Sequence, residues 1–278
     1  MGDLPFYSAG HAAGKPHGEV CGRRGLLRTL RDVPKTATGW IITPDELRHW
    51  IVEETPEWLA VNKPAGVVCH PSKHGLWSSL VGAAREYLGE PVLHMPSRLD
   101  RETSGVVVLV RRRELASRMQ RAIQTGRVRK RYLAVLEGVL ESARDVDLPI
   151  GRAEGSHVFL KQAVRGDGRP ARTRFIPLEH RAGRTLARIE PETGRLHQIR
   201  VHAAAIGHPV CGDKLYGPDE LLFVEFIREG FTERMWGLLG AERQMLHAEQ
   251  LIFDLGSDSL RFYAPMADDM RAFWESLS

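Results

Sequence analysis

Short runs of β-branched and apolar residues recur along this chain at irregular intervals, with few helical stretches between them. No repeating strand–helix unit joins them, which disfavours a doubly wound parallel sheet. The pattern predicts an α+β fold: a mixed, mostly antiparallel central sheet with flanking helices. Strands are expected over Trp58–Lys63, Val106–Val110, Arg129–Leu136, Val158–Ala163, Thr173–Leu178, Thr185–Ile189, Leu246–Leu255 and Leu260–Tyr263. Pro64-Ala65-Gly66 stops the first of these, and Val67-Val68-Cys69 reads as resumed extended chain. Helical spacing appears over Leu76–Leu88, Leu196–Ile206 and Met270–Leu277. It is clearest over Arg112–Gln124, where Leu115, Met119 and Ile123 share one face ahead of Gly126. Before Thr43 the chain carries Gly, Pro and scattered basic residues, with one short helix expected over Arg23–Leu30. The division expected is an N-terminal extension over 1–45 and one folded domain over 46–278.

With 278 residues, 42% of them hydrophobic and 27% charged, the chain can bury a substantial core as an ordinary soluble protein. Its longest apolar runs fall far short of the roughly 20 residues a membrane span needs. The opening M-G-D-L-P-F-Y-S has no charged-then-apolar leader pattern. Cys21, Cys69 and Cys211 are far apart and form no C-x-x-C pair, which points to a reducing compartment. A cytoplasmic location without membrane association is therefore expected. The net charge is only +4, yet eleven Lys/Arg face three acids between Arg98 and Arg131. A basic block in an otherwise slightly acidic chain suits a polyanion, although a solvated helix face would look similar.

Within that block, S-R-L-D-R-E-T-S-G (97–105) sets Asp100 between Arg98 and Arg101, just ahead of a valine-rich strand. Nearby positive charge favours an ionised carboxylate, and a rigid strand would hold it in place. Such a group is a potential nucleophile. On spacing alone, Asp100 could equally cap a turn, since Asp, Ser and Gly are all turn residues. Phosphate-binding motifs are absent: Gly22-Arg23-Arg24-Gly25 has no P-loop continuation, and Gly166-Asp167-Gly168 reads as a turn.

The stretch G-R-L-H-Q-I-R-V-H (194–202) is dense in functional residue types. His197 and His202 are five apart, not the four that stack metal ligands on one helix face, so no metal is expected. Arg200 follows a glycine turn on a helix and could point back to a neighbouring carboxylate. Tyr132 lies on a strand beside Lys130 and Arg131.

Taken in order, these segments resemble the RluA-type family of RNA pseudouridine synthases. The matching pieces are V-N-K-P-A-G-V-V-C-H-P (61–71), R-L-D-R-E-T-S-G-V-V-V-L (98–109), K-R-Y-L-A-V-L-E-G (130–138) and R-P-A-R-T-R-F (169–175). The longest is T-G-R-L-H-Q-I-R-V-H-A-A-A-I-G-H-P-V-C-G-D-K-L-Y-G (193–217). Leu246-His247-Ala248 and Phe262-Tyr263-Ala264-Pro265 also fit, so the likeness runs from about Glu57 to Ala264. It implies a pseudouridine synthase-like catalytic domain that isomerises uridine in ribosomal or transfer RNA without cofactor or metal. By the same resemblance Asp100 is the catalytic aspartate, Tyr132 the active-site tyrosine, which could pack on the base and remove the C5 proton, Arg200 the aspartate's partner and Arg98 the residue that helps replace an extruded base. Arg101, Lys130, Arg195 and His197 are expected to contact RNA. RNA is then the partner, with no DNA target, and a monomer is expected.

Two positions depart from the family pattern: Ser97 stands where His is usual, and Leu196 where Thr or Ser is usual. They bear on how a flipped nucleotide is held and which RNA is chosen. Two other readings are open to the same residues. One is an RNA-binding protein that keeps the scaffold without catalysis. The other is a glycoside hydrolase using Asp100 and Glu102, whose parallel side chains about 7 Å apart would not flank a sugar.

Overall fold

The computed structural model describes residues 40–70 and 76–278; the short helix expected over Arg23–Leu30 lies outside them. The elements in chain order are α1 (Pro44–Trp50), β1 (Ile51–Glu54), β2 (Trp58–Lys63), α2 (Leu80–Leu88), β3 (Ser104–Val110), α3 (Arg113–Gln124), β4 (Val128–Glu137), β5 (Arg144–Asp147) and β6 (Ile150–Arg152). They continue with β7 (Gln162–Val164), β8 (Arg172–Arg181), β9 (Arg184–Pro191), α4 (Gln198–Ala205), α5 (Leu221–Glu229), α6 (Glu233–Leu239), β10 (Leu246–Asp254), β11 (Ser259–Tyr263) and α7 (Asp268–Glu275). The main sheet runs β1-β2-β3-β10-β4-β9-β8-β5, with β11 also paired to β10. Every pairing is antiparallel except β3 with β10, and β6–β7 form a separate two-stranded ribbon. The fold is thus α+β with a mostly antiparallel sheet, as the irregular element order predicts.

Strand alternation assigns the sheet's two faces. In the β2–β3 pair, Leu59 and Val61 sit opposite Leu109 and Val107, while Ala60 sits opposite Val108. The first set packs with Leu47 of α1 and Leu80, Ala83 and Ala84 of α2; the second packs with Leu115 and Met119 of α3. Along β4 the same period puts Ala134 and Leu136 against Ile199 and Ala203 of α4, and Leu133 and Val135 against Met270 and Trp274 of α7. Pairing of β10 with β3 and β4 carries these faces across the sheet. Helices α1, α2 and α4 therefore cover one face, and α3 and α7 the other. Tyr132 shares the α4 face with Ala134.

Several expectations shift. Val67–Cys69 is irregular chain, and of Val158–Ala163 only the last two residues join a strand. Val158 itself is buried in a turn, where its side chain meets Tyr216 and Leu215. The expected domain start at 46 falls inside α1, and Trp40 and Ile42 already belong to the core around Leu47. Helix α1 begins with a reciprocal cap, Thr43 accepting from Glu46 N–H and the Glu46 carboxylate accepting from Thr43 N–H. No helix among the described residues is long and apolar enough to cross a membrane.

The basic block does not form one surface. Arg112, Arg113, Arg118 and Arg121 ride on or beside α3, behind the sheet from α4, and Arg118 pairs with Asp258. The same alternation that builds the core divides these charges between two faces.

Candidate active site

A small cleft opens on the α4 face and is lined by Arg98, Asp100, Lys130, Tyr132, Arg195, His197 and Arg200, among others. Seven of the eight residues singled out in the sequence thus converge from three separate segments. The exception is Arg101, whose guanidinium turns away to donate to Gly66 O (3.1 Å).

Asp100 sits in a tight loop between Ser97 and the start of β3. Thr103 N–H donates to Asp100 O (3.2 Å), closing the turn. The loop backbone is gripped from several sides. Lys63, fully buried at the end of β2, donates to the carbonyls of Pro64, Val67 and Arg101. Burial holds its ammonium down to about 8. Gln244 donates to the Thr103 hydroxyl (2.7 Å). Lys214 pairs with the Glu102 carboxylate (2.8 Å), and Arg243 reaches Glu102 O while pairing with Asp269. Glu102 is therefore engaged behind the loop and is not among the residues that line the cleft with Asp100. Gly105, the second residue of β3, has φ +117, with Ala248 O only 2.2 Å from where a Cβ would stand. Only glycine permits that approach of β3 to β10.

The charge opposite Asp100 comes from α4. Arg200 gives Nη1 to Asp100 Oδ2 (3.3 Å) but binds Asp213 with two shorter bonds, Nε at 2.6 Å and Nη2 at 2.8 Å. Asp213 is sealed from solvent, whereas the Asp100 side chain keeps 31% of its surface. Burial alone would lower the Arg200 pKa; Asp213 first and then Asp100 outweigh it, and the net direction is up. Asp213 would likewise be raised by burial, but Arg200 and the N–H groups of Leu215 and Tyr216 bring it down. One guanidinium thus serves two carboxylates, and the accessible one is held without being fully neutralised.

Sequence reasoning missed Asp213 although its segment, C-G-D-K-L-Y-G, was in view. The signal was an Asp followed by a turn whose N–H groups need an acceptor. Gln198 was also missed. Its Oε1 accepts from Thr193 Oγ1 and Arg195 N–H, and its Nε2 donates to Arg172 O and Thr173 Oγ1. It ties the loop carrying Arg195 to β8.

Tyr132 projects from β4 beside Ile189 and Ile199. Burial, and then the charge of Asp100, push its phenol upward, so the hydroxyl stays protonated. A tyrosine poised as a base would need the opposite field. Burial lowers the Lys130 ammonium, and burial followed by Arg169 lowers the Arg195 guanidinium. His202 is no metal ligand here: its two ring nitrogens are engaged by Thr173 Oγ1 and Leu148 O.

Residues 57–205 match the family model described as RNA pseudouridylate synthase. The chain is 35% identical over 236 residues to the ribosomal large subunit pseudouridine synthase D of Nitrosomonas europaea, covering 82% of this chain and 64% of that protein. It is also 35% identical to an uncharacterized RNA pseudouridine synthase of Bacillus subtilis, covering 79% of this chain and 73% of that one. Among solved structures, human RNA pseudouridylate synthase domain containing 4 aligns with TM-score 0.65 and 25% identity over 84% of this chain and 94% of its own. Human RNA pseudouridylate synthase domain containing 1 aligns with TM-score 0.61 and 29% identity over 77% and 82%. The chain belongs to the RluA-type family of RNA pseudouridine synthases.

Proposed function

We propose that this protein isomerises uridine to pseudouridine in RNA, with Asp100 as the catalytic carboxylate. The observation that carries the reading is the solvent-reaching Asp100 in a cleft, tethered to an Arg200 whose charge is already matched by Asp213. Asp100 would attack the sugar at C1′, or assist elimination from it, as the C1′–N1 bond breaks. The base then turns, and C5 bonds to C1′ as the Asp100–C1′ bond breaks and the carboxylate is released; on the elimination route C5 adds to the unsaturated sugar. C5 then gives up its proton to water or to the freed Asp100 carboxylate, and N1 takes one up, so no co-reactant is required. Tyr132 packs against the base and offers its retained proton as a hydrogen-bond donor.

A uridine stacked in a helix cannot reach Asp100, so it must flip out at a cost of a few kcal/mol. Arg98, exposed at the cleft, is the candidate to occupy the vacated place. Lys130, Arg195 and His197 would hold the flipped nucleotide and its phosphates; Arg101 would meet RNA outside the cleft. Large-subunit ribosomal RNA is the first substrate class to test, because relatives are named for it. Transfer RNA is the second. Uracil is an RNA base, which argues for RNA over DNA. A cytoplasmic monomer completes the reading, with an N-terminal extension followed by the catalytic domain that the sequence pattern starts at 46. The packing of Trp40 and Ile42 favours a domain start nearer 40.

The test is to map pseudouridine at single-nucleotide resolution in ribosomal and transfer RNA from cells with and without the gene. One or more sites lost on deletion, and restored by the parent protein, support the proposal. An unchanged map, with RNA binding intact, favours a non-catalytic RNA-binding protein.

A further inference from the structure

Breaking the C1′–N1 bond leaves its electron pair on uracil, spread from N1 onto the carbonyl oxygens O2 and O4. Such charge calls for a fixed donor near the carboxylate. His197 is placed to supply one. It begins α4 in the left-handed region (φ 55) with no side-chain cap of its own, a conformation that costs a non-glycine residue about 1–3 kcal/mol. Its ring lines the cleft, edge-on to Tyr216 at 5.6 Å between centroids.

Hydrogen bonding fixes where the ring's proton sits. The Tyr216 hydroxyl accepts from Gln162 N–H (2.8 Å) and lies 2.9 Å from His197 Nδ1. If Nδ1 carried a proton, two N–H groups would converge on that oxygen, and its own proton would have no acceptor among the described contacts. If the hydroxyl donates to Nδ1, every proton has a partner. Nε2 then bears the hydrogen and faces Asp100 Oδ2 at 3.9 Å, too far for a hydrogen bond in the free protein. Burial, and then Arg200, hold the imidazole down to about 4, so the ring is neutral near pH 7.

We propose that His197, locked as its Nε2–H tautomer by the Gln162–Tyr216 relay, donates a hydrogen bond to O2 of the departing uracil. O2 is the carbonyl next to N1 and so lies nearest the Asp100 side of the base. The histidine keeps its proton throughout; the charge it stabilises is quenched when C5 bonds to C1′ and N1 is protonated. This inference rests on the pseudouridine-forming reading above and gives His197 a role beyond RNA contact.

The experiment uses the full chain and an RNA fragment containing a mapped target uridine, prepared with uridine or with 2-thiouridine, whose sulfur is a weak acceptor. His197→Asn tolerates the left-handed backbone but cannot reach as far as Nε2; His197→Gln restores an N–H near that position. On uridine RNA the Asn variant is expected to lower kcat by about 10²–10³-fold, well beyond its loss of RNA affinity, and the Gln variant to recover part of the loss. Tyr216→Phe, which releases the tautomer, should lose about tenfold. On 2-thiouridine RNA the penalty of His197→Asn should shrink to within about threefold, since the acceptor is already gone. Equal penalties on both RNAs, or a loss confined to RNA affinity, overturn the assignment. A wild type that forms no pseudouridine in any RNA tested overturns the underlying reading together with it, so the two failures are told apart.

Discussion

Arg200 binds Asp213 through two hydrogen bonds and Asp100 through one longer bond. The sealed carboxylate orients the guanidinium, and the accessible one borrows what is left. Replacing Asp213 with Asn should therefore strand a buried cation and cost about 3–5 kcal/mol of stability. Urea unfolding of the two proteins checks this. Where the variant stays folded, pseudouridine formation should fall while RNA affinity holds, because Arg200 is free to swing fully onto Asp100. A variant of unchanged stability and rate would remove Asp213 from the account.

Tyr132→Phe keeps the ring that packs on Ile189 and Ile199 and removes only the hydroxyl. The expected result, for the loss of one hydrogen-bond donor, is a kcat lower by about 10²–10³-fold with little change in KM. Since burial and Asp100 hold the phenol protonated, the parent enzyme's pH–rate profile should show no rise near pH 10 from phenolate formation.

His247 sits under the start of β3, between the Ser104 hydroxyl and Ala264 O. Burial, with a contribution from Arg243, holds its pKa at about 4. Between pH 6.5 and 4 the unfolded chain binds a proton there that the folded protein does not, so stability must fall as pH drops through that window. The contribution is about 3 kcal/mol. Denaturation of the parent and His247→Gln at several pH values should show a flatter acid slope in the variant; identical slopes would contradict the assignment.

Gly105→Ala would set a Cβ 2.2 Å from Ala248 O at a φ of +117. A loss of at least about 3 kcal/mol is expected, and the displaced loop should cost activity even at temperatures where the variant is folded. Thermal melts and rate measurements on the same preparation check both effects.

The parts of this architecture that could be read from residues alone are those with strong periodicity. β2, β3 and β4 alternate or run apolar, and α3 shows a clean face of Leu115 and Met119. Elements decided by tertiary packing were not legible. β1, β5 and β6 are three or four residues long, and helices α5 and α6 are anchored through Leu222, Met235 and Leu239, with no clean break around them. The cap Thr43–Glu46, by contrast, follows from a local Thr-x-x-Glu spacing. In the cleft, Asp100, Tyr132 and Arg200 were found through motif order, but the Arg200–Asp213 pair and the Gln198 clasp depend on distances that only folding creates. The basic block misled in the other direction: a count along the chain cannot tell which side of a sheet each arginine takes.

The most direct measurement compares the parent protein with Asp100→Asn on one RNA carrying a mapped target uridine, reading bound RNA and pseudouridine formed in parallel. The account predicts RNA affinity within about twofold and no detectable pseudouridine from the variant, since one neutralised oxygen removes the attacking group without disturbing the surface. Turnover by Asp100→Asn within tenfold of the parent would contradict it.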